Sequence, residues 1–225
     1  MNRNMYLDKL IRRKGNGMIK VITGIRRCGK TYLLFELFHQ HLLASGVDKE
    51  HIIKIALDDR INKKYRDPDV LCEYVHNEIK DEQMYYILLD EVQMVEEFED
   101  VLNSFLHIKN ADVYVTGSNA KFLSKDIITE FAGRGDEIHM YPLSFAEFMS
   151  VYKGDKYEGL SEYMLYGGIP LVVLRDGANE KAAVLQNLFD EIYITDIFKR
   201  NRVKNQGELE DLLNILSSAI GSLTN

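Results

Sequence analysis

The chain has 225 residues, 46% of them hydrophobic, which is enough for one domain or one and a half around a sizeable core. Its 28 Lys and Arg against 35 Asp and Glu leave a net charge of −7, so the surface as a whole repels nucleic-acid phosphates and anionic lipid. Two cysteines with no CxxC and no neighbouring His pair exclude a disulfide framework and a zinc site, and no apolar run approaches the roughly 20 residues of a membrane helix, so a cytoplasmic protein without a leader is expected.

The charge is not spread evenly. Residues 1–30 carry nine basic groups (Arg3, Lys9, Arg12, Arg13, Lys14, Lys20, Arg26, Arg27, Lys30) and one acid, Asp8, which directs any bound anion to the start of the chain. Tyr6, Leu7, Leu10 and Ile11 form a short apolar stripe that reads equally as the cover of a nucleotide base and as ordinary packing. Met18 to Thr23 is a β-branched run that stops at Gly24, and apolar residues from Tyr32 to Leu43 recur at helical spacing, giving strand, glycine loop and helix. Gly46 stops that helix, His51 to Leu57 is a second strand, and Asp67 before Pro68 marks a helix start. Tyr85 to Leu89 is a fully apolar strand ending in Asp90 and Glu91; a helix around Phe98 to Leu106, a strand at Val113 to Thr116 and a fifth strand at Glu137 to Tyr141 follow. Apolar strands alternating with helices predict an α/β fold with a parallel sheet covered on both faces. The pattern places a core at residues 1–142 and a helical extension at 143–225, with helices near 144–152, 158–166, 179–200 and 207–220.

Gly24-Ile25-Arg26-Arg27-Cys28-Gly29-Lys30-Thr31 fits GxxxxGK[ST] in full and lies between a predicted strand and a predicted helix. Gly24 and Gly29 let the backbone curl so that consecutive N–H groups converge on phosphate oxygens at a helix N-terminus. Lys30 then reaches the β and γ phosphates and Thr31 offers a hydroxyl to Mg²⁺. At ordinary glycine frequencies the pattern arises by chance in fewer than about one chain in a hundred of this length. Cys28 reads as a small residue tolerated before Gly29.

The second site is Asp90 and Glu91. An apolar strand ending in Asp delivers a carboxylate to the metal shell at the C-terminal edge of the sheet, and the adjacent Glu is suited to orient or deprotonate the attacking water. Thr116-Gly117-Ser118-Asn119 is a polar tip on a strand expected between the loop strand and the Asp90 strand; Ser118 or Asn119 reads equally as a γ-phosphate sensor and as a helix N-cap. Arg134 is a candidate for stabilising transition-state charge, in its own chain or from a neighbouring subunit, with surface salt bridging the alternative. The six histidines show no HxxxH or HExxH spacing and are assigned no metal.

GIRRCGKTYLL, YYILLDEVQ, VTGSNAKFL and YPLSFAEF resemble the prokaryotic AAA-type P-loop ATPases whose ATPase module precedes an uncharacterised C-terminal domain. The likeness runs over roughly residues 3–200. It implies a P-loop NTPase fold with a five-stranded parallel sheet in the order 5-1-4-3-2, ATP and Mg²⁺ as cofactors, Gly24 to Thr31 as the nucleotide loop, Asp90 and Glu91 as metal and water carboxylates, and Ser118 or Asn119 as sensor. Members usually continue into a domain similar to restriction nucleases, so the expectation is of a chain truncated at Asn225 and of nucleic-acid contact only through sequence beyond it.

The function expected is Mg²⁺-dependent ATP hydrolysis with Glu91 positioning the water. The alternative is a nucleotide-gated switch or assembly module with slow turnover, which needs the same cradle, and a protein partner or self-association fits either. A GTPase lacks its NKxD, and a small-molecule kinase is disfavoured because Glu91 would activate water in competition with the acceptor.

Overall fold

The computed structural model describes residues 3–117, 131, 133–190 and 206–218. It opens with helix α1 (Asn4–Arg12), whose Tyr6 and Leu10 are buried. Strand β1 (Ile19–Thr23) is buried along its whole length. Helix α2 starts as Lys30–Tyr32, widens into a π-helical stretch at Leu33–Phe38 and returns to α-helix at His39–Ala44. Then come β2 (Ile52–Ala56), α3 (Pro68–Glu78), β3 (Tyr85–Asp90), α4 (Phe98–Phe105), β4 (Ala111–Thr116) and β5 (Gly135–His139).

The five strands form one parallel sheet in the order β2-β3-β4-β1-β5, the order the sequence resemblance implies. The first three strands follow their apolar runs to within a residue, whereas β4 starts at Ala111 rather than Val113 and β5 runs from Gly135 to His139 rather than from Glu137 to Tyr141. The position of β5 is set by backbone pairing, Ile19 facing Gly135 and Thr23 facing His139, and its side chains are mostly half-exposed, so hydrophobicity does not mark its start. Side-chain alternation splits the core into two layers. On one face Val21, Ile55, Ile87, Leu89 and Val115 pack against Leu71 and Val75 of α3 and Val101, Leu102 and Phe105 of α4. On the other, Ile22, Leu88, Tyr114 and Ile138 pack against α1 and the Leu34, Phe35 and Phe38 side of α2. Helix α3 begins where Asp67 accepts hydrogen bonds from the N–H groups of Asp69 and Val70, with Pro68 filling the first turn.

The first compact unit runs to Val173 and includes three helices beyond the sheet: α5 (Phe145–Met149), α6 (Lys156–Tyr166) and the single turn α7 (Pro170–Val173). Ser144 and Glu147 close a reciprocal capping box on α5. The second unit, Leu174–Asn225, contains α8 (Ala178–Leu188) and α9 (Gln206–Ser218) among its described residues. No helix among the described residues is long and apolar enough to cross a membrane.

Candidate nucleotide site

The loop 24–31 leaves β1 at the C-terminal edge of the sheet and turns directly into α2. Its shape depends on glycine at two points. Gly24 has φ of 143°, and a Cβ there would lie 2.2 Å from the carbonyl oxygen of Met140, so any side chain displaces the loop from the strand end beside it. Gly29 has φ of 101° immediately before the helix, and Arg27 takes a left-handed φ of 63° between them. Leu33 N–H returns to the Gly29 carbonyl at 2.9 Å, which starts the helix within the loop and leaves the first N–H groups of α2 at its mouth.

Lys30 is 4% exposed and folds back over the loop, its Nζ donating to the carbonyls of Gly24 and Ile25 at 3.1 Å each. Thr31 points the other way, across to β3, where its hydroxyl donates to Oδ2 of Asp90 at 2.8 Å. The other Asp90 oxygen accepts from the Thr116 hydroxyl at the end of β4, and Thr116 in turn accepts from the Glu91 N–H at 3.0 Å. Two neighbouring strand ends and the start of α2 thus converge on one carboxylate, because the order places β4 between β3 and β1, the strand that leads into α2. Asp90 is 2% exposed; burial pushes its carboxyl above the ordinary value, with Thr116 and Thr31 pulling it back and Glu91 and Asp58 adding to the rise. A buried carboxylate beside a hydroxyl is a hard-oxygen donor pair, the kind Mg²⁺ takes from a protein when phosphates supply the rest of its shell. Among the described residues no group of three or more His, Cys, Asp or Glu side chains is assembled for a metal.

Glu91 follows in the left-handed region, φ 54° and ψ 49°, and its Oε2 accepts from the Gln93 side chain. Such a backbone is uncommon for a non-glycine residue and turns the chain sharply at the strand end. Cys28 is fully buried in the loop, and burial pushes its thiol up against the opposing pull of Lys30 and Arg3, so it stays protonated at neutral pH.

A family model described as an AAA domain matches residues 16–149. The chain belongs to the AAA domain family. A second model, described as a domain of unknown function, matches residues 157–225. An uncharacterised protein of Haemophilus influenzae is 34% identical over 231 residues, covering 100% of this chain and 57% of the relative. An uncharacterised protein of Methanocaldococcus jannaschii is 30% identical over 232 residues, covering 96% of this chain and 49% of the relative. The chain therefore spans about half the length of these relatives. Among solved structures, the ADP form of the Aeropyrum pernix ORC2 protein shares the fold with a TM-score of 0.52 at 12% identity, over 98% of this chain and 73% of that one.

Within this AAA domain, Gly24, Ile25, Arg26, Arg27, Cys28 and Gly29 form the loop that Lys30 and Thr31 continue as the first turn of α2, and Thr31 and Asp90 meet directly. Ser118 and Asn119 lie outside the described residues. The polar tip of β4 nevertheless reaches the site through Thr116, two positions earlier, which the sequence reading placed in the same stretch without singling out. Arg134 is not brought to the loop: its carbonyl accepts from Ile19 N–H, so it sits at the N-terminal edge of the sheet, a five-residue strand or about 16 Å from the loop in its own chain. Tyr6 and Leu10 belong to the packed core with Phe35 and Phe38.

One residue that the sequence marked only as part of a basic stretch bears on the loop. Arg3, 2% exposed, donates to the Cys28 carbonyl and to Glu147. Nothing in an arginine at position 3 marks its pairing with the loop; the only signal was its place among the nine basic groups of residues 1–30.

Proposed function

We propose that this AAA domain binds Mg·ATP on Gly24 to Thr31 and hydrolyses it. The observation that carries the reading is the 2.8 Å hydrogen bond from Thr31 to the buried Asp90, which brings the GKT hydroxyl and the strand-end carboxylate together at the mouth of the loop. Thr31 and Asp90 would hold Mg²⁺, Asp90 with its carboxylate and Thr31 with its hydroxyl, and the ion supplies charge neutralisation on the phosphate oxygens. Lys30 exchanges its two backbone carbonyls for phosphate oxygens, and the loop N–H groups and the start of α2 hold the remaining charge. Glu91 orients the attacking water as general base. Ser118 or Asn119 senses the γ-phosphate, and Arg134 acts only across a subunit contact, given its distance from its own loop. Residues 1–142 serve as the ATPase core and 143–225 as a helical extension. The reading places the protein in the cytoplasm, which its two free cysteines support. It includes a further C-terminal domain similar to restriction nucleases, which rests on the sequence resemblance alone.

A second reading, a nucleotide-gated switch with slow turnover, is favoured by one contact: the Glu91 carboxylate is engaged by Gln93, and a base held there is not yet turned to water. Phosphate release from Mg·ATP by the whole chain beside Glu91→Gln separates the two. Hydrolysis predicts release that falls about 100-fold or more in the variant while ATP binding persists. Binding without release in either protein overturns hydrolysis by this chain and leaves the switch or an ATPase completed by further sequence or a partner.

A further inference from the structure

The guanidinium of Arg3 is buried where the start of the chain crosses the phosphate loop. Nη1 donates to Oε2 of Glu147 at 2.9 Å, and Nη2 donates to the carbonyls of Cys28, at 3.2 Å, and of Tyr141. The ring of Tyr6 lies under it at 4.7 Å, and Tyr6 fixes the same segment from the other side by accepting from Tyr141 N–H at 3.1 Å. The one charged partner, Glu147, is itself locked: the same oxygen takes the Ser144 N–H and hydroxyl in the capping box of α5. Both terminal nitrogens are engaged while Nε is buried without a hydrogen-bond partner, so the charge is costly to place and its position specifies geometry more than it adds stability.

The peptide joining Cys28 to Gly29 is trans, as are all the described peptides. In a planar trans peptide the carbonyl and the following N–H point in opposite directions. Anchoring the Cys28 carbonyl on Arg3 therefore turns the Gly29 N–H away from Arg3 and into the loop, where the N–H groups that cradle a phosphate have to aim. Gly29, with its left-handed φ, has the backbone freedom to swing this peptide the other way, so the direction needs an external hold.

We propose that Arg3 is a positioning residue of the nucleotide site, presetting the Cys28–Gly29 peptide for phosphate and, through Glu147, tying that setting to helix α5. The inference rests on the reading of residues 24–31 as a phosphate-binding loop. Arg3 touches no phosphate itself; it acts through the peptide it holds. Lysine retains the charge at this position but lacks the planar fork that bridges two carbonyls and a carboxylate at once.

The test is calorimetric titration of Mg·ATP into the whole chain, wild type beside Arg3→Ala, Arg3→Lys and Asp112→Asn, each well below its own Tm. Asp112→Asn breaks the buried ion pair with Lys20, toward the N-terminal edge of the sheet, and controls for loss of stability alone. The expected result is affinity at least about 10-fold weaker in Arg3→Ala, intermediate in Arg3→Lys and unchanged in Asp112→Asn. Wild-type affinity in folded Arg3→Ala, or an equal loss in Asp112→Asn, overturns the proposal while leaving the phosphate loop intact. If Arg3→Ala does not fold, Arg3→Lys decides: weaker binding supports the positioning role, and unchanged binding overturns it. Failure of the wild type to bind Mg·ATP removes the reading of the loop, and this inference with it.

Discussion

Asp90 is a buried carboxylate whose surroundings decide the cost of its charge. Its carboxylate sits on neighbouring strand ends with both oxygens taken by hydroxyls, and burial holds its carboxyl above the ordinary value of 3.8. The sign of the linkage follows. A carboxyl whose folded value is raised contributes stability below its unfolded value and loses it as pH rises through the folded value, so the charged form burdens the native state at neutral pH. Asp90→Asn keeps the shape and at least one acceptor, and thermal unfolding should show a gain of about 1 kcal/mol, or roughly 2–4 °C in Tm, in a chain of this size. The same variant should lose Mg²⁺-dependent phosphate release. A fall in Tm would mean that the two threonine hydroxyls compensate the charge more fully than burial penalises it. Gly24→Ala belongs to the same scale: a methyl 2.2 Å from the Met140 carbonyl cannot be absorbed by a flexible side chain, and nucleotide affinity should drop by about 10-fold or more as the loop shifts.

Among the elements, the glycine-glycine pair after α6 sets the helical segment against the strand exit. Leu143 N–H donates to the Gly168 carbonyl at 2.7 Å, Tyr163 donates to the Leu143 carbonyl at 2.7 Å, and a Cβ on Gly168 would lie 2.1 Å from that carbonyl oxygen. Gly168→Ala should cost about 1–3 kcal/mol and lower Tm by several degrees, measurable by calorimetry, whereas Gly167→Ala meets no atom within 4 Å and is strained only by its φ of 71°. These contacts also explain what the sequence conceals. The loop, the apolar strands and the Asp90 strand end were legible because each is local: the GxxxxGK[ST] spacing, continuous burial of β1 and β3, and the Asp67-Pro68 cap act within a few residues. Thr116 was legible only as part of a polar tip, since choosing it over its neighbours requires the register of β4 on β1, in which Ile22 faces Thr116. The pairing of Arg3 with Glu147 was not legible, although Arg3 stood among the nine basic groups near the start, because it joins residues 144 positions apart, and the edge of the sheet that Arg134 occupies was not legible because proximity to a glycine-rich turn does not specify it.

At the scale of the molecule, the described site residues, 24–31, 90, 91 and 116 together with Arg3 and Glu147, all lie in the unit that ends at Val173. Residues 1–173 produced alone should therefore unfold cooperatively and retain nucleotide binding, and circular dichroism with an ATP titration checks both. The buried Lys20–Asp112 pair joins β1 to β4 inside this unit, with Gly15 N–H and the Tyr114 hydroxyl also donating to Asp112, so a variant that strands one charge there should weaken the whole sheet rather than the loop. The central claim is that residues 24–31 and Asp90 form a working Mg·ATP site. It is tested most directly by calorimetric titration of ATP into the whole chain with and without Mg²⁺, beside Lys30→Ala. The account predicts saturable binding by the wild type, tightened by Mg²⁺, and its loss in a Lys30→Ala variant that still folds. No binding by the wild type, or equal binding by the variant, would contradict it.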